Sequence, residues 1–361
     1  MKKSLFIIPL LCLFLCGCGE IEAEQAGAVV IAETTVLAEC VPNINNAPEA
    51  KNQNLLTGVP DLTSEAIGKR PVAVMINNVK AALPQYGIAE ADVIFELPVE
   101  GNLTRLMALY ADYTQVPDIC AIRSCRYYYP AISKGFDAFY VHWGIDETVS
   151  DYVAGLKIDK YDGMSNQGGL FGRDTARRKS GYALEHTGVF KGTQFAEVVQ
   201  ETNKRIDLLD SKKGNAFKFC EMGTRITPTG GSCTSVNVKF GNASATFLYD
   251  TEKMVYYKKI NGQNHIDGKS GEQLSFANVF VLETNISSRD AVDHKKVDWA
   301  GSADAKGYYI SNGAMQEIRW SKEGAQESSY LKFYDLNGKE IEINRGKTYI
   351  AYTYKGKTIL E

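Results

Sequence analysis

The chain has 361 residues, a formal charge of −3, a pI near 6.0 and 44% hydrophobic residues. That balance excludes the basic bias of a nucleic-acid binder, and the length suffices for a large core and two domains. Dense positive charge is confined to Arg173, Arg177, Arg178 and Lys179.

The first twenty residues read as an address. Lys2 and Lys3 precede an apolar run at 5–16 (LFIIPLLCLFLC), broken only by Pro9. A helix needs about 20 residues to cross a hydrocarbon core, so this run has the length of a signal-peptide apolar region. Leu15, Gly17 and Cys18 then resemble the bacterial lipobox, in which small residues fit the peptidase groove and a free thiol takes the diacylglyceryl group. The expectation is a signal peptide over 1–17, lipid attachment at Cys18, and a protein held on the extracytoplasmic face of the cell membrane. Several acyl chains hold a protein there far better than one. Loss of Lys2 and Lys3 takes the formal charge from −3 to −5.

Residues 18–57 are expected to carry the anchor and a flexible tether. The stretch from Gly19 is rich in Ala and in Glu (Glu20, Glu22, Glu24, Glu33, Glu39, Glu49) and has no aromatic residue. Such a composition buries too little surface to order itself, and as a coil it reaches roughly 35 Å.

The next unit, 58–234, mixes strands and helices. Residues 72–76 are apolar at every position, as in a central strand covered on both faces, and 91–98 read the same way. A turn at 99–102 (VEGN) leads to a hairpin partner at 103–111. Residues 118–124 form a short strand, 127–135 a helix, and 137–144 another strand. Phe195, Val198, Val199 and Ile206 give helical spacing over 193–206. From 235 to 361 the pattern changes to short β-branched or aromatic strands separated by NGQN, SNGA and LNGK, which are hairpin signals. The fold class is therefore α/β (α+β): a layered α/β N-terminal domain with a mostly buried sheet, followed by a β-rich C-terminal domain.

Of eight cysteines, Cys12 and Cys16 leave with the signal and Cys18 is lipidated. Cys40, Cys120, Cys125, Cys220 and Cys233 remain, an odd number. Cys220 and Cys233 flank a turn-rich stretch and could bridge two arms of a hairpin. Cys120 and Cys125, an odd separation apart, face opposite ways on one strand, which disfavours a bond. No zinc spacing occurs, so neither metal nor cofactor is expected.

Chemistry is expected where strands end. Ligands of open α/β sheets sit beyond the carboxyl ends of strands, where this chain places Asn77, Asn78, Glu96, Arg123 and His142. The hairpin turn adds Glu100 and brings back Arg105, with a Glu96–Arg105 ion pair as the structural alternative. Arg123 and Arg126, three apart, face opposite ways on extended chain, one for structure and one for a ligand. His186 lies in a polar loop with Asp174, Arg177 and Arg178. His265 and Asp267 sit in a hairpin turn that they would cap. Arginines among carboxylates suit recognition of an anion through paired hydrogen bonds, and the aromatics of RYYYP and YVHWG could stack on sugars. No G-x-S-x-G elbow, H-E-x-x-H or Walker loop supplies a nucleophile or metal. Cys125 beside Arg126 could have a lowered pKa.

RPVAVMINN (70–78), LPQYGIAEADVIFELPVEGNLTRL (83–106), AIRSCRYY (121–128) and FDAFYVHWG (136–144) resemble the YerB-like bacterial lipoprotein family, a domain of unknown function. YYKKINGQNHIDGKSGEQLSFANVFVLE (256–283) and NGKEIEINRGKTYIA (337–351) resemble that family's C-terminal domain. The resemblance implies the two-part fold and no activity, and the lipobox fits it. Where the family pattern has P-V-R-S-A-R, this chain has AIRSCR; R-K-A-P-H-N corresponds loosely to Arg177, Arg178 and His186.

The leading functional expectation is a non-catalytic envelope lipoprotein that binds or scaffolds peptidoglycan, an anionic wall polymer or an envelope protein. One alternative is a wall hydrolase or transferase pairing Glu96 or Glu100 with His142 or His186. The other is a solute-binding lipoprotein, which would need two similar lobes.

Overall fold

Runs without polar alternation can sit only inside a sheet covered on both sides, and Val72–Asn77 and Val93–Pro98 do: every residue of each is buried. They belong to a ten-stranded sheet in a computed structural model that describes residues 50–361. The expected signal peptide, Cys18, Cys40 and most of the tether lie outside the described residues.

The sheet runs Leu331–Tyr334, Ala314–Lys322, Gly301–Ser311, Asn278–Thr284, Thr348–Tyr354, Val93–Pro98, Thr104–Tyr110, Val72–Asn77, Phe139–His142 and Lys160–Asp162. Val93–Pro98 and Thr104–Tyr110 form the expected antiparallel hairpin, and Val72–Asn77 pairs antiparallel with its second arm. Phe139–His142 then adds in parallel to Val72–Asn77. The strands starting at Val72, Val93 and Phe139 therefore all point one way.

The chain's character changes after about residue 235 as expected, but the sheet does not break there. Thr348–Tyr354 inserts between Asn278–Thr284 and Val93–Pro98, parallel to both. The β-rich part also forms a six-stranded sheet from Ser235–Lys239, Ser244–Asp250, Val255–Ile260, two short strands and the C-terminal Thr358–Leu360. Here burial alternates along Val255–Ile260, so one face is covered and the other is wet.

The helix Tyr128–Gly135 lies against the large sheet, and the ring of Phe136 just after it meets Phe95 at 5.9 Å. On the other flank Phe195 opens the helix Phe195–Glu201 and packs on Phe139, Tyr161 and Phe190 at 5.3 to 5.7 Å. That helix is shorter than the 193–206 expected, because Thr202 leaves helical geometry and Asn203 adopts φ 54°. Among the described residues no helix is long and apolar enough to cross a membrane.

Two expectations are corrected. The tether does not extend to residue 57: Leu55 and Leu56 are buried in the core, and the Asn54 amide oxygen accepts from Leu56 N at 2.9 Å. Aliphatic pairs win over the polar residues around them. Cys220 and Cys233 do not bridge either; both are free and buried. Their neighbourhoods pair elsewhere, Phe219 with Ile343 and Ser232 with Ala314, so no hairpin brings them together.

Candidate functional site

The common strand direction brings Asn77, Asn78, Glu96 and His142 toward one edge, but all four are sealed inside the protein. Asn78 Nδ2 donates to Glu96 Oε1 at 2.8 Å and to Thr104 Oγ1 at 2.7 Å, and Thr104 donates to the same carboxylate at 2.6 Å. Tyr349 OH donates to the other carboxylate oxygen. Lys258 Nζ lies 3.9 Å from Glu96 and 3.1 Å from His265 Nδ1, and His265 Nε2 meets Gln85 Oε1 at 2.8 Å. Gln85 closes the circuit by donating to Asn78 Oδ1 at 3.1 Å and to Asn77 O at 2.9 Å. Lys258 and Gln85 are 0% exposed and Glu96 2%. This network holds the N-terminal and C-terminal parts together. Asp267 reinforces it: besides capping its own turn at Lys269 N, it accepts from Ile88 N at 2.6 Å and Ala89 N at 3.0 Å.

Glu96 and Arg105 do not pair. In the hairpin register Arg105 faces Leu97 and Glu96 faces Leu106, so the two side chains leave opposite faces. Arg105 instead meets Glu100 at 2.5 Å, and Arg126 reaches the other oxygen of Glu100 at 2.8 Å. Burial pushes the Arg105 guanidinium down to about 10, Arg126 adding to the effect and Glu100 opposing it.

His142 is fully buried. Its Nδ1 lies 3.0 Å from Gly144 O and its Nε2 has no hydrogen-bond partner among the described residues, while burial lowers its pKa. Among the described residues neither Glu96 nor Glu100 has an imidazole as a direct partner, so the expected pairing of Glu96 or Glu100 with His142 or His186 does not form. Asp174 caps the helix Thr175–Lys179, accepting from Arg177 N at 3.0 Å. Arg177 is buried, stacks 4.2 Å over the Tyr86 ring and donates to Ala82 O at 2.9 Å and to Pro84 O. The thiol of Cys125 is pushed up to about 12 by burial rather than lowered by Arg126, whose effect is smaller.

An open pocket lies beside this edge. Segment 121–125 is threaded between strands: Arg123 N donates to Met75 O and Trp143 N to Arg123 O, each at 3.0 Å. A three-stranded sheet of Ile119–Cys120, Gly188–Phe190 and Phe171–Arg173 forms the opposite wall. Between them Ile122, Arg123, Trp143, Arg173 and residues 183–185 line a space of about 400 Å³. Trp143 fits because glycines stand beside it; a Cβ on Gly163 would come within 2.5 Å of the ring. The Arg173 guanidinium stacks 3.9 Å from the Trp143 ring centroid and donates to Leu184 O at 2.7 Å. Burial, then Arg178 and Arg123, lower the pKa of Arg173. Arg123 donates to Glu185 at 3.1 Å.

His186 follows the lining residue Glu185 and is buried behind it. Its Nε2 lies 3.6 Å from Glu185 and its Nδ1 3.1 Å from Asn77 Nδ2. Facing an amide donor, Nδ1 accepts and Nε2 carries the proton; burial lowers the imidazole's pKa, with Glu185 opposing the effect. Two guanidiniums, one carboxylate and an aromatic ring can receive a carboxylate or similar anion on a partly apolar wall. Of the residues singled out from sequence, Arg123 lines this pocket and His186 supports it. Trp143, Arg173 and Glu185 were missed as a set; the only signals were the basic cluster and the aromatic YVHWG run.

Asp146, Asp290 and His294 place ligating atoms within 4.8 Å of one another. Arg289 already supplies the positive charge there, donating to Asp146 and, at 3.2 Å, to Asp290. The cluster works as a charged clasp between distant parts of the chain.

Residues 56–205 match the "Protein of unknown function (DUF3048) N-terminal domain" and residues 236–350 the corresponding C-terminal domain. A Bacillus subtilis protein named "Putative lipoprotein YerB" is 25% identical over 288 residues, covering 77% of each chain. The crystal structure of YerB from Bacillus subtilis superposes with a TM-score of 0.71 at 22% identity, covering 85% of this chain and 98% of that one. The likeness in fold therefore spans both parts.

Proposed function

The chain belongs to the DUF3048 family, and from that premise we propose that it is a lipid-anchored protein of the extracytoplasmic membrane face that binds an anionic cell-envelope ligand in the Arg123–Trp143–Arg173 pocket. The name of the Bacillus relative supports the lipoprotein reading, as does the lipobox ending at Cys18. The observation that carries the binding reading is the placing of two guanidiniums against one carboxylate in an open space of about 400 Å³, a volume within the range of small-ligand sites. A planar guanidinium offers a carboxylate two parallel donors, and Ile122, Leu184 and the edge of Trp143 offer an apolar wall. Carboxylate-bearing peptidoglycan fragments combine both features.

Calorimetric titration of the full-length protein with such fragments tests the reading. Arg123→Gln and Arg173→Gln should each weaken binding at least tenfold, as expected for loss of a hydrogen bond between charged groups. Failure of peptidoglycan fragments, wall polymers and co-purified envelope proteins alike to bind would refute it. Labelled palmitate should enter the wild-type chain and not Cys18→Ala.

A further inference from the structure

A second opening lies between the helix Tyr128–Gly135 and the loop at 323–332, sharing no residue with the Arg123 pocket. Six cations and three carboxylates face a space of about 430 Å³. Three of the cations are neutralised in place. Arg70 donates to Asp159 at 2.6 Å, Arg205 forks onto Asp137 at 2.6 and 2.7 Å, and Lys332 is held by Glu340 at 2.9 Å from outside the lining.

The other three are not. Among the described residues Lys134, Lys157 and Lys212 have no carboxylate within ion-pair reach. Lys212, 6% exposed, donates to Ser328 O and lies 4.0 Å over the Tyr330 ring. Against these three ammoniums stands one lining carboxylate with no ion pair among the described residues, Glu323, at the exposed rim. Behind the wall Lys322 Nζ donates to Ala131 O at 3.1 Å and Glu327 O at 2.9 Å. Burial, then Lys212, push Lys322 down to about 7, with Lys134 acting in the same direction. Positive charge is thus concentrated here in a chain whose net charge is negative.

We propose that this cavity binds a phosphate-bearing anion, with Lys134, Lys157 and Lys212 receiving its oxygens. The three lysines come from three separate elements: the end of one helix, the turn after Ser150–Gly155, and the short helix Asp210–Lys212. Ammoniums are point donors that can close on a tetrahedral group from different sides. The guanidiniums, which would favour a planar carboxylate, are already committed to Asp137 and Asp159. The volume leaves room for the group that carries the phosphate.

Phosphate could arrive as a terminal group on a small molecule or as the diester of a lipid headgroup or wall polymer. Pyrophosphate represents the first and glycerophosphoglycerol the second. Titration calorimetry of the full-length, detergent-solubilised protein in low-salt, phosphate-free buffer should give saturable binding, and the tighter probe identifies the source. Lys134→Gln/Lys157→Gln should weaken that binding at least tenfold, and Arg173→Gln should leave it within twofold. Lys157→Glu, at an exposed turn, provides a second variant with no side-chain bond to the described residues to lose. The proposal is overturned if neither probe binds saturably, if the lysine variants bind as tightly as wild type, or if Arg173→Gln abolishes binding.

Discussion

Lys258 and Glu96 meet in the core from the two halves of the sequence, and the strength of their coupling follows from their geometry. Their charged atoms are 3.9 Å apart, with 0% and 2% exposure. At an effective dielectric of about 20 the attraction is about 4 kcal/mol. Burial lowers the pKa of Lys258 and Glu96 pulls it back up. Lys258→Met leaves the carboxylate with Asn78, Thr104 and Tyr349 but no counter-charge; Glu96→Gln leaves the ammonium with His265. Each should cost about 3–5 kcal/mol, the usual result of stranding one member of a buried pair. The double variant strands neither charge, so it should cost at least about 2 kcal/mol less than the two single losses combined. Urea denaturation of the four proteins gives the coupling directly. Additivity within about 0.5 kcal/mol would show that no ion pair spans this interface, and the account of the network would fall with it.

Lys322 supplies a pH dependence with a definite sign. Its folded pKa of about 7 lies below the usual 10.5, so the unfolded chain binds the extra proton between those values. Stability from this group therefore rises with pH from about 7 to 10.5, by up to about 5 kcal/mol, and the penalty is fully present below 7. Lys322→Met should flatten that rise in urea midpoints taken at pH 7, 8 and 9; an unchanged slope contradicts the assignment. Gly163→Ala would push its Cβ into the Trp143 ring, costing about 1–3 kcal/mol and disordering the pocket; retention of the wild-type near-ultraviolet dichroism and ligand affinity would count against the packing described. In a Cys40→Ala background, the free buried thiols Cys120, Cys125, Cys220 and Cys233 should react with a disulfide reagent at pH 8 only as fast as the protein opens. Rapid labelling of even one in the native state would be inconsistent with their burial.

The sheet was legible because its central strands lack a polar face. Residues 72–76 and 91–98 could belong nowhere but a covered sheet, and the VEGN turn announced their hairpin. Strand partners across long distances were not legible: nothing in TYIAYTY distinguishes a strand that pairs with Val93–Pro98 from any other aromatic β-run. The candidate site divides the same way. Residue type marked Glu96, Asn78 and His142 as unusual in apolar surroundings, yet whether such groups face water or one another depends on Lys258, Gln85 and Tyr349, which come from elsewhere in the chain. Trp143 and Arg173 escaped because a stack between residues thirty apart leaves no periodic trace. Leu55 and Leu56 were hidden by their polar flanks.

The parallel seam between Val93–Pro98 and Thr348–Tyr354 joins groups 253 residues apart, as Tyr349 and Glu96 demonstrate. During folding the early half must wait for residues 348–351 before its own middle is closed. Until then one side of Val93–Pro98 is an open template for any passing strand, and so long a wait makes folding slow. A truncation before residue 348 would therefore not yield a shorter, closed N-terminal module; it would leave a half-sheet with Val93–Pro98 as a bare, sticky edge.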